Sequence, residues 1–385
     1  MVASVMSGGK DIGLGGGGYA RFAQIKTFGS LDGLRAIAIL AVLWHHHANN
    51  AVPGWKITTH GFLGVDLFFT ISGFLIVTLL LRERRRTGTI SLRDFYVRRI
   101  LRIFPPYYLV LGVVGAVAFL KPGGNSSEVV KWDLPYALFF LSNLVPMQSL
   151  LSITWSLSVE EQFYLVAPTI EKYTRRALPF LLAYVLVSLP PFGVFSALPL
   201  PAFFRETTFG PILLGVMLAH VLDEPRGFSW VSGLVGGRLA PLIALGLIFA
   251  AASYPAEAFT GWPRLAVHWA MLMLVASCVV CEANVLAPLL SLWPMRRIGK
   301  VSYGIYLYHL LVMHFVVKGL GAVGVAQGHA TFFATALGTW AVAEVSYRFF
   351  EVPFLQLKAR FASTAAQTRP TAGAATERPG TVSES

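Results

Sequence analysis

The chain has 385 residues and a formal net charge of +12, and its composition excludes a soluble enzyme and a disordered chain. Hydrophobic residues make up 55% of the sequence and charged residues only 13%, whereas soluble domains carry about 25% charged residues. The positive charge does not indicate nucleic-acid binding, because the basic residues stand in clusters between apolar segments, as membrane topology requires. We therefore expect an integral membrane protein that binds no nucleic acid.

The sequence predicts one membrane domain, residues 31–355, between two polar ends. Residues 1–30 are rich in glycine, and we expect a flexible segment there; residues 356–385 are rich in Ala, Thr, Pro and Gly, and we expect a disordered tail. A membrane-spanning helix needs about 20 mostly apolar residues. Such segments occur at 31–48, 62–81, 103–120, 178–197, 207–221, 239–253, 265–282, 302–318 and 331–350.

The stretch 134–170 holds two short apolar pieces bounded by prolines, and the basic residues indicate how often it crosses the membrane. With one crossing, the cytoplasmic segments hold 23 Lys and Arg residues and the outer segments six, whereas two crossings give 14 and 15. Cytoplasmic loops are enriched in Lys and Arg. The sequence thus predicts an all-α bundle of about ten transmembrane helices with both termini cytoplasmic and a re-entrant segment around 134–170. Re-entrant backbone must be buried in protein or line a cavity, so we expect this segment to form a wall of an internal site.

Ionisable residues inside apolar segments are candidates for function, since placing one at the centre of a bilayer costs about 2.5–3.5 kcal/mol. On the first span, Arg35 and His46 are eleven residues apart and share one helix face, about 16 Å apart along the axis. The neighbouring His45 and His47 point elsewhere, which argues against a metal site in the run of three histidines. The second span carries the embedded carboxylate Asp66.

Two further segments carry charge into apolar sequence. Arg99 and Arg102 are i,i+3 neighbours just before the third span, and they form a fork suited to phosphate oxygens at the cytosolic mouth. The segment 154–164 places Glu160 and Glu161 in an otherwise apolar helix, which no structural need explains well.

Six sequence motifs extend this pattern over most of the chain. They are LDGLRAIAILAVLWHHH (31–47), GVDLFFTISGFLI (64–76), RDFYVRRILRIFPPYY (93–108), TWSLSVEEQFYL (154–165), IGKVSYGIYLYHL (298–310) and YRFFEVPF (347–354). In this order they resemble the membrane acyltransferase-3 family, which includes bacterial saccharide and peptidoglycan O-acetyltransferases and macrolide O-acylases. Family members have about ten spans.

The resemblance implies roles for particular residues. The family's Arg-x10-His pair falls on Arg35 and His46, although the family's aromatic residue before the active histidine points instead to His45. The Arg-x-x-Arg element falls on Arg99 and Arg102. The recurrent acid of the fourth motif falls on Glu160, and the acid of the last motif falls on Glu351.

These residues together predict an O-acyltransferase of the bacterial cytoplasmic membrane. We expect an acyl group, in the first instance acetyl, to pass from cytosolic acyl-CoA to a hydroxyl of a saccharide, glycolipid or macrolide-like acceptor, with no metal. His46 acts as general base, Glu160 or Asp66 orients its imidazole, and Arg35 stabilises the developing charge. Arg99 and Arg102 hold the phosphates of the donor. The residues expected to contact the substrates are Ser72, Trp155, Tyr164, Glu351 and His309.

Three alternatives stay open at this point. An acyl-histidine intermediate competes with direct transfer. An acceptor that enters from the cytosol competes with one that arrives at the outer face. A bundle with buried His, Asp, Glu and Arg is also expected for a proton-coupled transporter.

We expect no esterase-like domain after the last span, which favours a small or lipid-linked acceptor.

Overall fold

The computed structural model describes residues 17–25, 27–51, 60–120, 125–174, 176–188, 209–253 and 261–357, and all regular secondary structure in these ranges is helical. A 3₁₀ turn (Leu150–Ile153) precedes α6, and a π-helical turn (Tyr347–Glu351) follows α15. The α-helices are α1 (Gly17–Gln24), α2 (Gly29–Ala51), α3 (Leu63–Thr87), α4 (Leu92–Leu120), α5 (Asn125–Leu138), α6 (Thr154–Thr174), α7 (Leu178–Ser188), α8 (Gly210–Asp223), α9 (Pro225–Val235), α10 (Ala240–Ala251), α11 (Trp262–Val280), α12 (Ala287–Leu290), α13 (Trp293–Lys300), α14 (Ser302–Ala322) and α15 (His329–Ser346).

The length and hydropathy of these helices are those of a membrane protein. Within the described ranges, α3, α4, α11 and α14 are long and apolar enough to cross a bilayer. The bent pairs α1–α2 and α9–α10, with angles of 67° and 70°, raise the number of candidate spans to six. The predicted count of about ten spans is not confirmed, and part of the chain between the predicted spans lies outside the described residues.

Two elements differ from the sequence-based expectation. The N-terminal segment, which we expected to be flexible, contains the helix α1, whose Phe22 is buried. Helix α4 begins at Leu92 and not near Ile103. Arg99 and Arg102 therefore lie on the same helix as the apolar span. Pro105 and Pro106 lie inside α4 without ending it, as is tolerated in membrane helices whose neighbours satisfy the freed backbone groups. Residues 358–385, which make up nearly all of the predicted disordered tail, lie outside the described residues.

The segment 125–174 runs back along α4 once. The Tyr107 hydroxyl of α4 donates to the Ala137 carbonyl near the end of α5, 2.7 Å away. Nearer the start of α4, the Tyr96 hydroxyl donates to the Leu165 carbonyl of α6, 2.8 Å away. Helices α5 and α6 therefore lie end to end and antiparallel to α4, which is the path expected if this segment crosses the bundle a single time.

The backbone between α5 and α6 is irregular up to the 3₁₀ turn, and Ser142 and Asn143 in it are buried. Asp133 of α5 accepts hydrogen bonds from the backbone N–H groups of Gln148 and Ser149, at 3.1 and 2.8 Å. The Asn143 and Gln162 side chains exchange amide hydrogen bonds of 3.0 and 2.9 Å. These side chains satisfy polar groups that lipid would leave unpaired, so the break in the helix fixes where α6 begins.

Helices α3 and α8 approach each other closely through glycine. A Cβ atom on Gly73 would overlap the Ile212 carbonyl oxygen, and one on Gly215 would overlap the Thr70 carbonyl oxygen. Small residues allow such close packing between membrane helices.

We predict that Gly73→Ala lowers the free energy of unfolding by about 1–3 kcal/mol, because the added methyl group must push two backbones apart. Thermal unfolding of the protein in detergent measures this as a lower transition temperature. Gly112→Ala in α4 is the matched control, since nothing lies within 4 Å of its Cβ position. Equal transition temperatures for the two variants would contradict the close approach of α3 and α8.

Candidate active site

A cavity of about 700 Å³ lies between α2, α3, α4, α6 and α14, with residues at the end of α1 against its edge. Its charged lining contains six arginines and two glutamates, so the positive charge is in excess. These charged residues are Arg35, Arg82, Arg86, Arg98, Arg99, Arg102, Glu83 and Glu160. A cavity of this size and charge suits an anionic ligand with several phosphate groups.

Protein partners compensate some of these arginines but not all. Arg98 pairs with Glu83 at 3.0 Å, and Arg82 donates to two backbone carbonyls after α1 and within it. Arg99 and Arg102 form no ion pair with any carboxylate of the described residues, and the Arg99 guanidinium stacks 4.3 Å from the Tyr164 ring centroid. The fork predicted from the sequence therefore faces the cavity with its charge available to a ligand.

Three of the predicted site residues form one hydrogen-bonded group beside this fork. The Glu160 carboxylate accepts hydrogen bonds from the Ser72 and Tyr164 hydroxyls. Ser72 and Glu160 line the cavity, and Tyr164 lies behind them under Arg99. The α6 part of the 134–170 segment thus supplies part of the cavity wall.

The three consecutive histidines on α2 contact different partners. His46 lies against His309 of α14, with 3.3 Å between His46 Nδ1 and His309 Nε2 and 4.8 Å between the ring centroids. His45 packs edge-on against Phe62, and His47 contacts the Gly328 carbonyl at 2.9 Å. Helix phase therefore separates the three rings as predicted, and only His46 of the three contacts His309 in the described residues.

Tyr306 connects the arginine-lined cavity with the two histidines. Its side chain lines the cavity, and its hydroxyl lies 2.7 Å from the Ser156 hydroxyl and 3.0 Å from the Ile153 carbonyl. His309 follows one helical turn later, about 4.5 Å along the axis, with 5.6 Å between the two ring centroids. Tyr306 thus lies between the cavity and the histidine pair, and neither histidine lines the cavity.

Three other predicted residues lie elsewhere. Asp66 is buried and contacts α11, where His268 Nε2 lies 3.1 Å and Arg264 Nη2 3.5 Å from its carboxylate. Trp155 packs edge-on against Phe69, and Glu351 accepts a 3.4 Å hydrogen bond from Ser346 near Gly304 of α14.

The expected pairing of Asp66 with the His46 imidazole is therefore replaced by its contacts with α11. Neither His268 nor Arg264 was predicted as a partner of Asp66. Their i,i+4 spacing in an apolar helix places both on one face and is the signal that indicates a common partner. Ser156, one turn before Glu160, and Tyr306 were also not predicted as site residues.

No group of three or more His, Cys, Asp or Glu side chains within the described ranges is arranged to hold a metal ion. The polar groups that line the cavity include arginines, glutamates and hydroxyl groups.

A family model described as an acyltransferase domain, acyltransferase-3, matches residues 28–346. The chain belongs to the acyltransferase-3 family. The chain therefore holds the acyltransferase domain of this family, and the match covers every residue of the cavity lining from Arg35 onward.

Named relatives in this family are bacterial O-acetyltransferases. A protein of Staphylococcus aureus (strain COL) named "Putative O-acetyltransferase" is 31% identical over 373 residues, which cover 88% of this chain and 59% of the relative. The O-acetyltransferase OatA of Staphylococcus aureus (strain NCTC 8325 / PS 47) is 30% identical over 359 residues, covering 84% of this chain and 56% of OatA. The chain thus spans somewhat over half the length of these relatives. No solved structure matches it.

We predict that Asp66→Ala unfolds or strongly destabilises this acyltransferase, by about 3–5 kcal/mol, because it leaves a buried guanidinium without its carboxylate. Thermal unfolding and the yield of monodisperse protein measure the effect. Asp32→Ala is the control: its 3.7 Å pair with Arg35 is partly exposed to solvent, so its loss is expected to cost less than about 1 kcal/mol. If the Asp66→Ala variant were as stable as the Asp32→Ala variant, Asp66 would not stabilise the packing of α3 on α11.

Proposed function

We propose that this acyltransferase moves an acyl group, in the first instance acetyl, from cytosolic acyl-CoA to a hydroxyl of a saccharide, glycolipid or macrolide-like acceptor. The observation that carries the proposal is the arginine-rich cavity, whose lining residue Tyr306 contacts His309 of the His46–His309 pair. The names of the relatives, which specify O-acetyl transfer, support an acetyl group and a hydroxyl acceptor. The bacterial cytoplasmic membrane with both termini in the cytoplasm remains the expected location.

The donor is bound by charge at the cavity mouth and by apolar contact within. Arg99 and Arg102 donate charge-assisted hydrogen bonds to the phosphates of CoA, while Arg86 adds positive charge at the end of α3. Apolar side chains of α3, such as Phe68 and Leu75, line the wall along which the pantetheine arm extends toward Tyr306. The thioester then lies at the end of the cavity that faces the histidines.

The chemistry requires one base and a site for negative charge. His46 removes the proton of the acceptor hydroxyl as the oxygen attacks the thioester carbonyl carbon, which becomes tetrahedral. When the carbon–sulfur bond breaks, the proton on His46 passes to the leaving sulfur, giving the O-acyl ester and free CoA thiol. Arg35 lines the cavity on the same α2 face, about 16 Å along the axis from His46. It is too far to contact an oxyanion formed beside that imidazole, so it adds positive charge at the donor end of the cavity.

Direct transfer requires the donor thioester and the acceptor hydroxyl to be at the histidine pair at the same time. On the predicted topology, His46 lies about 22 Å from the cytoplasmic end of its helix, in the outer half of the bilayer. We propose that the acceptor arrives from that outer side, so that the acyl group is passed across the membrane without movement of the donor.

We predict that His46→Gln lowers kcat for acetyl transfer about 10²- to 10⁴-fold, because the transition state loses its general base. Purified protein is incubated with radiolabelled acetyl-CoA and a panel of hydroxyl acceptors, and both the labelled product and the released CoA thiol are measured. His45→Gln is the matched control on the same helix, and it is expected to retain activity. Loss of activity in the control alone would assign the base to His45, and acceptor flux into liposomes without CoA release would establish a transporter.

A second prediction concerns the arginine fork. Arg102→Gln and Arg99→Gln each raise KM for acetyl-CoA about 10- to 100-fold with little change in kcat, since each removes a charge-assisted bond worth about 1.5–3 kcal/mol. Arg93→Gln is the control, because Arg93 lies on α4 outside the cavity lining and is exposed.

A comparison of acetyl-CoA with acetyl-pantetheine as donors distinguishes the loss of phosphate binding from a general loss of activity in the fork variants. Acetyl-pantetheine lacks the nucleotide phosphates, so the fork variants should use it as well as the unmodified enzyme does. A fork variant that loses activity equally with both donors would contradict phosphate binding by Arg99 and Arg102.

A further inference from the structure

We propose that His309 is a positioning residue that holds His46 as its Nδ1–H tautomer, so that Nε2 of His46 is the atom that takes the acceptor's proton. The proposal rests on the proposed function for the identity of the reaction. It differs from the expectation that His309 contacts substrate, and from the expectation that a carboxylate orients the base.

The chain of hydrogen bonds begins at the backbone of α14. His309 Nδ1 lies 2.6 Å from the Tyr306 carbonyl oxygen. A carbonyl oxygen only accepts hydrogen bonds, so His309 Nδ1 carries a hydrogen and donates it.

The same argument applies to His46 on α2. Its Nδ1 lies 3.0 Å from the Val42 carbonyl oxygen, which again requires a hydrogen on Nδ1. His309 Nε2 lies 3.3 Å from that Nδ1, and two N–H groups cannot face each other at this distance. His309 is therefore neutral, with its lone pair on Nε2, and it accepts a share of the His46 Nδ1–H.

The tautomer of His46 follows from these contacts. A neutral imidazole with its hydrogen on Nδ1 has its lone pair on Nε2. When Nε2 takes a proton, the Nδ1–H bonds to Val42 and His309 remain and stabilise the imidazolium. His309 thus serves the base in the way that the third group of a catalytic triad does, without bringing a second charge into the apolar bundle.

The carboxylates near this part of the bundle are occupied by other donors. Glu160 accepts hydrogen bonds from Ser72 and Tyr164, and the Asp66 carboxylate contacts α11. The Tyr306 turn that anchors His309 is itself held to the start of α6 through Ser156. The position of the His309 ring is therefore set by three helices, α2, α6 and α14, which is what a positioning residue requires.

Two substitutions of His309 separate its two nitrogens. The amide group of His309→Asn reaches the position of Nδ1 and can still donate to the Tyr306 carbonyl, but nothing reaches His46. The longer His309→Gln places an amide oxygen near the position of Nε2 and restores an acceptor for His46 Nδ1–H. We expect kcat to fall about 10- to 100-fold in the Asn variant and to recover to within about tenfold in the Gln variant. KM for acetyl-CoA should stay unchanged in both, because the arginine fork is intact.

The tautomer itself is measured without donor or acceptor. Protein labelled with ¹⁵N-histidine in liposomes gives separate NMR signals for protonated and unprotonated ring nitrogens, and the His46 signals are those missing from His46→Gln. We expect a protonated Nδ1 and an unprotonated Nε2 for His46 in the unmodified chain. In His309→Asn, where the Val42 contact acts without His309, we expect a larger share of the Nε2–H tautomer. A His46 protonated at Nε2 in the unmodified chain would overturn the proposal. So would a kcat that falls in His309→Asn with the His46 tautomer unchanged.

This measurement keeps two failures apart. If acetyl-CoA is not the donor, the transfer assay fails in the unmodified enzyme while the His46 tautomer still follows His309. If only the positioning role is wrong, the enzyme transfers acetyl groups and the tautomer is independent of residue 309.

Discussion

Charge inside an apolar helical bundle must face either a charged partner or a polar cavity, because lipid offers no compensation. Several buried ionisable groups of the described residues meet that requirement in one of two ways. Asp66 contacts His268 and Arg264 of α11, and Glu171 contacts His220 at 2.5 Å and Arg84 at 3.7 Å. Five arginines of α3 and α4 instead line a common cavity: Arg82, Arg86, Arg98, Arg99 and Arg102. The first group holds helices together, and the second makes room for an anionic ligand.

The break between α5 and α6 connects these requirements to the site. Because the backbone leaves the helix after Leu138, its polar groups need partners, and Asp133 and the Asn143–Gln162 amides supply them. Helix α6 then starts at the right depth for Ser156 to reach Tyr306 and for Glu160 to reach Ser72. A continuous helix in place of this break would shift these side chains along the bundle. The interrupted segment is therefore a positioning device for the cavity wall.

The site also separates recognition from chemistry along one axis. Positive charge lies at the end formed by the start of α4 and the end of α3, while the two histidines lie beyond Tyr306. A donor with phosphates at one end and a thioester at the other matches that separation, and for this reason we expect the arginine fork and the base to affect different kinetic constants. The neutral His309 beside His46 fits the same constraint, since an orienting carboxylate would bring another charge into the bundle.

The sequence by itself determined the membrane class, most helix positions, the family and the sets of residues that share a helix face. Helical periodicity and the cost of buried charge suffice for those conclusions, and they placed Arg99 beside Arg102 and separated His46 from its neighbours. Only the tertiary structure decided which face meets which. Asp66 meets His268, 202 residues away, and His46 meets His309, 263 residues away. Periodicity fixes the direction of a side chain around its own helix, but the partner depends on how helices distant in sequence pack, and no local pattern encodes that.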